Sequence, residues 1–277
     1  MNSTATTVVP PAAPVRATGD DTGVTQRRVI RSEWIKLRSV RSMVVGLLGA
    51  GVVTVGLGIL FSWLAGSGEG PGRREANDPL SLSLAGFNIG RLVIGVLGVL
   101  VVTSEYSSGM IRTMFAAVAD RLPVLRAKAL VFSGSTLAVM AVAAFTAFFV
   151  GQAVYGGSAV TVALGDPGVL RAVVGTAVYA AGVGALGVAL GFLLRSTGAG
   201  IGVLFATLLI IPGLVGLLPA SVSDPLTKVM PSNAGEAFTS VARDSSLLSP
   251  TAGFLVFALW VVGLLVAASV VVRRRDA

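Results

Sequence analysis

Apolar positions gather into six runs along the chain, each near the roughly 20 residues that a bilayer-crossing helix needs. They cover Ser42–Leu64, Ser83–Val102, Ala129–Val150, Val169–Leu194, Ala199–Leu218 and Ala252–Val272. A lipid interior leaves no water to satisfy an open sheet edge, so runs of this length predict helices. The two-residue alternation of a membrane barrel is absent. Pro212–Gly213 interrupts the fifth run, where a proline removes a backbone hydrogen bond and kinks or ends a helix. Two shorter patterns flank the runs. Thr25 to Arg41 (TQRRVIRSEWIKLRSVR) sets Ile30, Trp34 and Leu37 at helical spacing among basic residues. This predicts an amphipathic helix lying on membrane lipid just before the first span. Ser104 to Lys128 carries the apolar stripe Met110, Met114, Phe115 and Val118, then Pro123, which predicts a short surface helix and a turn.

Three regions follow: a disordered tail over 1–23, an amphipathic helix over 24–41 and a six-span domain over 42–277. The tail has no helical period, carries Pro10, Pro11 and Pro14, and lacks the apolar stretch of a secretory signal. Between the last two spans, Pro219 to Pro250 is 32 residues with five charges. Short helices are expected there, dipping into the membrane, because structureless loops of that length are uncommon.

Composition moves the chain firmly into the membrane class. Apolar residues make up 54% and charged residues only 12%, with a mean hydropathy of +0.86. The net charge of +8 is unevenly distributed. Fifteen of the 21 Lys and Arg fall before the first span, between the second and third, between the fourth and fifth, or after the sixth. The positive-inside rule then places both termini in the cytoplasm. A basic surplus on a hydrophobic chain points to the membrane face and away from nucleic acid. The fold class expected is an all-α membrane protein.

The chemistry available is narrow. With no Cys and no His, thiolate nucleophiles and the commonest general base and metal ligand are missing, and no cofactor is expected. None of the lysines Lys36, Lys128 and Lys228 follows a glycine, so there is no phosphate-binding loop and no ATP site. Gly182–Gly187 (GVGALG) has the spacing of a dinucleotide loop but lies mid-span. There it reads as close helix packing, as do the pairs Gly187–Gly191 and Gly198–Gly202. No carboxylate lies mid-span; the only acid near one is Glu105, at the cytoplasmic end of the second. This weighs against an ion-coupled secondary transporter and against an intramembrane enzyme. Arg91 lies inside the second span, as a snorkelling side chain or the lining of a wet cavity. Arg171 is expected to anchor the fourth span at the outer surface. A non-transporting scaffold or sensor would use the same basic helices without a pathway.

Two stretches carry a resemblance. RSEWIKLRSVRS (Arg31 to Ser42) opens the first span, and VVTSEYSSGMIRTMFAAVADRLPVLRAKALV (Val101 to Val131) crosses from the second to the third. With the six-span order and the long loop before the last span, they resemble the permease subunit of ATP-binding-cassette transporters of the second exporter type. The resemblance implies a bacterial multi-pass cell-membrane protein that works as an exporter, and apolar spans with few buried charges suit a hydrophobic or amphiphilic cargo. It implies two cytosolic ATPase subunits and a second permease subunit, identical or different, as partners. By position it makes Arg31–Arg41 a connecting helix with Trp34 and Ile35 as docking residues. It makes Glu105–Asp120 a coupling loop, with Glu105, Gly109, Met110 and Arg112 as transmission contacts and Glu105 paired to Arg112 or an arginine of the first helix. Pro219–Pro250 would form the outer gate. Phe87, Asn88, Thr207 and Leu214 are the candidates for the translocation path.

Overall fold

The computed structural model describes residues 25–67, 79–109, 122–155, 162–241 and 246–274, and every regular element among them is helical. The tail over 1–23 lies outside the described residues. α1 is Gln26–Ser39 and α2 Arg41–Gly66; α3 (Pro79–Leu84) leads into α4 (Phe87–Ser107). α5 is Leu122–Tyr155 and α6 Val169–Leu194. α7 (Thr197–Phe205) continues through a π-helical turn, Ala206–Ile210, into α8 (Ile211–Val215). α9 (Ala220–Val229), α10 (Pro231–Thr239) and α11 (Pro250–Arg274) complete the chain.

Six stretches are long and apolar enough to cross a membrane: Arg41–Gly66, Pro79–Ser107, Leu122–Val154, Val169–Leu194, Thr197–Val215 and Pro250–Arg274. These are the six spans of the hydrophobic pattern, mostly lengthened at their ends by polar residues that still fit a helix. The protein is an all-α, multi-pass membrane protein.

Local chemistry sets the boundaries. Pro79, Pro231 and Pro250 each open a helix and Pro123 follows one residue inside α5. The missing N–H costs nothing in a first turn. α6 ends at Arg195 in the left-handed conformation, φ 53°, whose N–H bonds to Gly191 O. Ser196 then caps α7 by accepting from Ala199 N. The interruption foreseen at Pro212 takes the form of the π turn just before it. Pro212 cannot donate to the helix behind it, and the turn widens to carry the chain past.

α6 is the central post. Of its most apolar window 78% is buried, against 17% for the fifth and sixth spans. Its glycines let α4 lie directly on it. A Cβ at Gly98 would overlap Gly184 O, and one at Gly187 would overlap Gly95 O. This is how Gly184 and Gly187 of GVGALG and the Gly187–Gly191 pair are used, while Gly182 receives the Phe257 ring of α11. A Cβ at Gly198 or Gly202 meets nothing within 4 Å, so that pair faces away from the chain. At the end of the bundle remote from Gln26 and Arg274, α10 packs on α6 and α11 through an aromatic cluster. Ring centroids are 4.9 Å apart for Tyr179–Phe257 and 6.0 Å for Tyr179–Phe238. Arg171 proves to be an internal bracket here as well as a boundary residue. Its guanidinium donates to Phe238 O (2.6 Å) and Ser240 O (2.9 Å), tying the start of α6 to the end of α10.

Candidate functional site

The end of the bundle that carries Gln26 and Arg274 holds a four-charge cluster built from three separate elements. α1 buries Val29, Glu33 and Leu37, one face at four-residue spacing. Glu33 therefore enters the protein between two apolar neighbours. α4 brings Glu105 in at its last turn, and α5 brings Lys128 in two turns from its start. Lys128 Nζ lies 2.8 Å from Glu33 Oε2 and 2.8 Å from Glu105 Oε1. Lys36 Nζ lies 3.1 Å from Glu33 Oε1 and 3.1 Å from Glu105 Oε1. Two lysines and two carboxylates alternate around a closed ring.

Burial gives the ring its weight. The Lys128 and Glu33 side chains are 2% and 4% exposed, whereas Lys36 is 31% exposed. An ion pair at the surface contributes little, but removing one member of a buried pair strands a desolvated charge. Burial works against the Lys36 ammonium, yet Glu33 and Glu105 outweigh it and raise its pKa above the ordinary 10.5. A raised lysine contributes stability that is complete below its unfolded-state value and is lost as pH climbs through the folded value. The hold of Lys36 on α1 is thus expected to persist through neutral and mildly alkaline pH and to loosen only above 10.5. Trp34 emission followed through an alkaline titration checks this; a change complete by pH ~9, below the lysine reference range, would contradict it.

The same end of α4 also grips the α6–α7 turn. Thr197 Oγ1 donates to Thr103 Oγ1 at 2.8 Å, and the Arg195 guanidinium stands 5.3 Å from the Tyr106 ring centroid. α1 and the second, third, fourth and fifth spans therefore meet within one turn of helix.

Glu105 is thus at the centre of the junction, but its partners among the described residues are Lys36 and Lys128, not an arginine. Compact ammonium groups can each sit between two carboxylates at this crowded crossing. Met110 and Arg112 lie outside the described residues, as does the rest of the stripe Met110, Met114, Phe115 and Val118 on which the short surface helix is expected. Gly109, two residues past the end of α4, stands at φ 72°, in the left-handed region that glycine tolerates. The inward face of α1 runs through Val29 and Glu33, which turns Trp34 and Ile35 outward, 44% and 57% exposed. The sequence pattern sets Ile30, Trp34 and Leu37 together on the lipid side of the helix; of these three only Leu37 is buried in the protein, and the inward turn of Glu33 was missed. The signal available was a lone acid in a basic segment, four residues after Val29 and four before Leu37.

A second polar feature lies at the opposite end, a cavity of about 160 Å³ lined by Asn88, Arg91, Thr176, Tyr179 and Glu236, with Phe87 at its edge. Arg91 Nη1 donates to Tyr179 Oη at 3.1 Å, and Tyr179 Oη donates to Ser232 O at 3.3 Å. Arg91 lines a polar cavity and stacks 5.1 Å from the Tyr179 ring centroid. Two of the four path candidates, Phe87 and Asn88, meet here. The other two do not: Thr207 bonds its own Val203 O, and Leu214 is 59% exposed on α8.

No curated protein matches the chain. The model of the ABC-2 family transporter proteins matches residues 29–218, more than half of the chain and the whole of the charged junction. The chain therefore belongs to the ABC-2 family, whose members are the membrane permease components of transporters that work with ATPase subunits.

Proposed function

We propose that this permease is the transmembrane part of an ATP-driven exporter in the bacterial cell membrane, with both termini in the cytoplasm. Two cytosolic ATPase subunits dock against the exposed Trp34 and Ile35 of α1 and against the coupling loop over 105–120. A second permease subunit, identical or different, lies against the sparsely buried fifth span, where Thr207 and Leu214 are presented. The cargo is a hydrophobic or amphiphilic solute that leaves past Phe87 and Asn88, with α9 and α10 at the outer gate.

One observation carries the reading. The four-charge ring fastens the surface helix α1 to the ends of two spans. A push on α1 from the cytosol cannot be absorbed by a loose loop. It passes through Glu105 and Thr103 into α4 and the start of α7, the elements that face the proposed path. A movement made by ATP outside the membrane needs such a stiff link to reach lipid-embedded helices.

Replacing Trp34→Ala together with Ile35→Ala is expected to reduce ATPase co-purification while leaving membrane insertion intact. These side chains are exposed, so the fold does not need them. In vesicles containing both subunits, cargo uptake should require ATP and should fall with the double variant. Uptake that survives ATP removal but collapses with an ion gradient would assign the protein to secondary transport. Recovery of ATPase unchanged by the double variant would place docking elsewhere.

A further inference from the structure

The face of α6 turned away from α4 is the floor of a long apolar trench. α5 and α11 both pack on α6 and scarcely meet one another. The floor is made of small residues, Ala181, Gly182 and Ala185; the walls are Leu130 and Leu137 of α5 and Val262 and Val266 of α11. The space between them is about 800 Å³. It continues into a second apolar space of about 500 Å³ that shares Val178 and Phe254 with it. Together they run along most of the length of α6, open to the side and bounded by apolar side chains.

The trench has exposed arginines at one end, whereas Arg171 at the other is turned into the protein. Arg126 and Gln26 line the first end, and Ser269 closes the α11 side. Arg273 follows Ser269 by four residues, about 6 Å along the same helix face. Arg126 and Arg273 are exposed, and neither joins an ion pair among the described residues. At the far end, the guanidinium of Arg171 is taken up by the carbonyls of Phe238 and Ser240. Exposed positive charge at one end of a side-open apolar trench matches one molecular shape: an anionic headgroup on an acyl chain.

We propose that this trench binds an anionic phospholipid from the leaflet at the basic end. Its phosphate sits between Arg126 and Arg273, and its acyl chain runs over Ala185 and Ala181 between α5 and α11. The site lies on the side of α6 opposite α4 and does not depend on cargo or ATPase.

Native mass spectrometry of the purified full chain tests it, after incubation with equal amounts of phosphatidylglycerol and phosphatidylcholine bearing identical acyl chains. Phosphatidylglycerol should be retained in clear excess. Arg126→Gln should lower that excess about fivefold, the factor that ~1 kcal/mol per arginine near the headgroups represents, and adding Arg273→Gln should lower it further. Both side chains are exposed, so neither change threatens folding. Ala185→Phe fills the trench without touching charge and should reduce retention of both lipids. Equal retention of the two lipids by the native chain would mean ordinary boundary lipid and overturn the proposal. So would a chain dimer that Ala185→Phe dissociates while the lipid ratio stays fixed, which would assign the trench to a second copy.

Discussion

Lys128→Met is expected to destabilise the protein by about 3–5 kcal/mol, the range seen when one partner is removed from a buried ion pair. Lys128 Nζ stands 2.8 Å from a carboxylate oxygen of both Glu33 and Glu105, and its side chain is 2% exposed. Without it, two buried carboxylates share only Lys36, which is already a third open to solvent. The diagnostic measurement is a compensated pair. Glu33→Gln combined with Lys128→Met leaves Lys36 and Glu105 matched one to one, and should recover most of the loss in a thermal melt of the purified protein. A double variant no more stable than Lys128→Met would show that the loss comes from packing, not from stranded charge. Transport should separate from stability here. Glu105→Ala removes the member that belongs to α4 and is expected to abolish ATP-driven transport even where the protein inserts and α1 stays attached through Glu33 and Lys128. Unchanged transport would deny Glu105 its part in coupling.

The second large effect is expected at the crossing of α4 and α6. A side chain at Gly98 or Gly187 would run into the carbonyl oxygen of Gly184 or Gly95. The obstacle is backbone on both helices, so no rotamer change relieves it. Gly98→Val and Gly187→Val should cost at least the ~3 kcal/mol that marks the upper end of ordinary overpacking. The loss should appear as failure to recover monodisperse protein in detergent. Gly202→Ala supplies the contrast. Its Cβ would meet nothing within 4 Å, and alanine is the better helix former by about 1 kcal/mol. Equal recovery of Gly187→Val and Gly202→Ala would contradict the close crossing.

The helices were plain in the chain because the membrane simplifies the problem. A run of about 20 apolar residues has few fates but to cross, and all six predicted runs are spans in the structure. The π turn before Pro212 and the left-handed cap at Arg195 were not legible in detail, since both depend on how neighbouring turns settle. The charged junction was half legible. Glu105 stood out as the acid beside a span. Glu33 did not, because it sits among arginines where a surface role looks sufficient. Lys128 did not, because its partners are 95 and 23 positions away in sequence. Pairings at that distance come from the packing of α1, α4 and α5, and no local spacing encodes them. The same reasoning accounts for Arg171. A cation at a helix start reads as an interface anchor, while its two carbonyl acceptors belong to a helix end almost 70 residues later.

The alternation of two ammonium groups with two carboxylates has an electrical consequence. Each unit of unbalanced charge carried across a bilayer works with or against the voltage by about 2.3 kcal/mol per 100 mV. The ring of Glu33, Lys36, Glu105 and Lys128 sums to zero. If it shifts as a body when α1 moves, the ring itself carries no net charge, and any pull of the membrane voltage on that step acts through Arg27, Arg28, Arg31 and Arg38 of α1 and not through the ring.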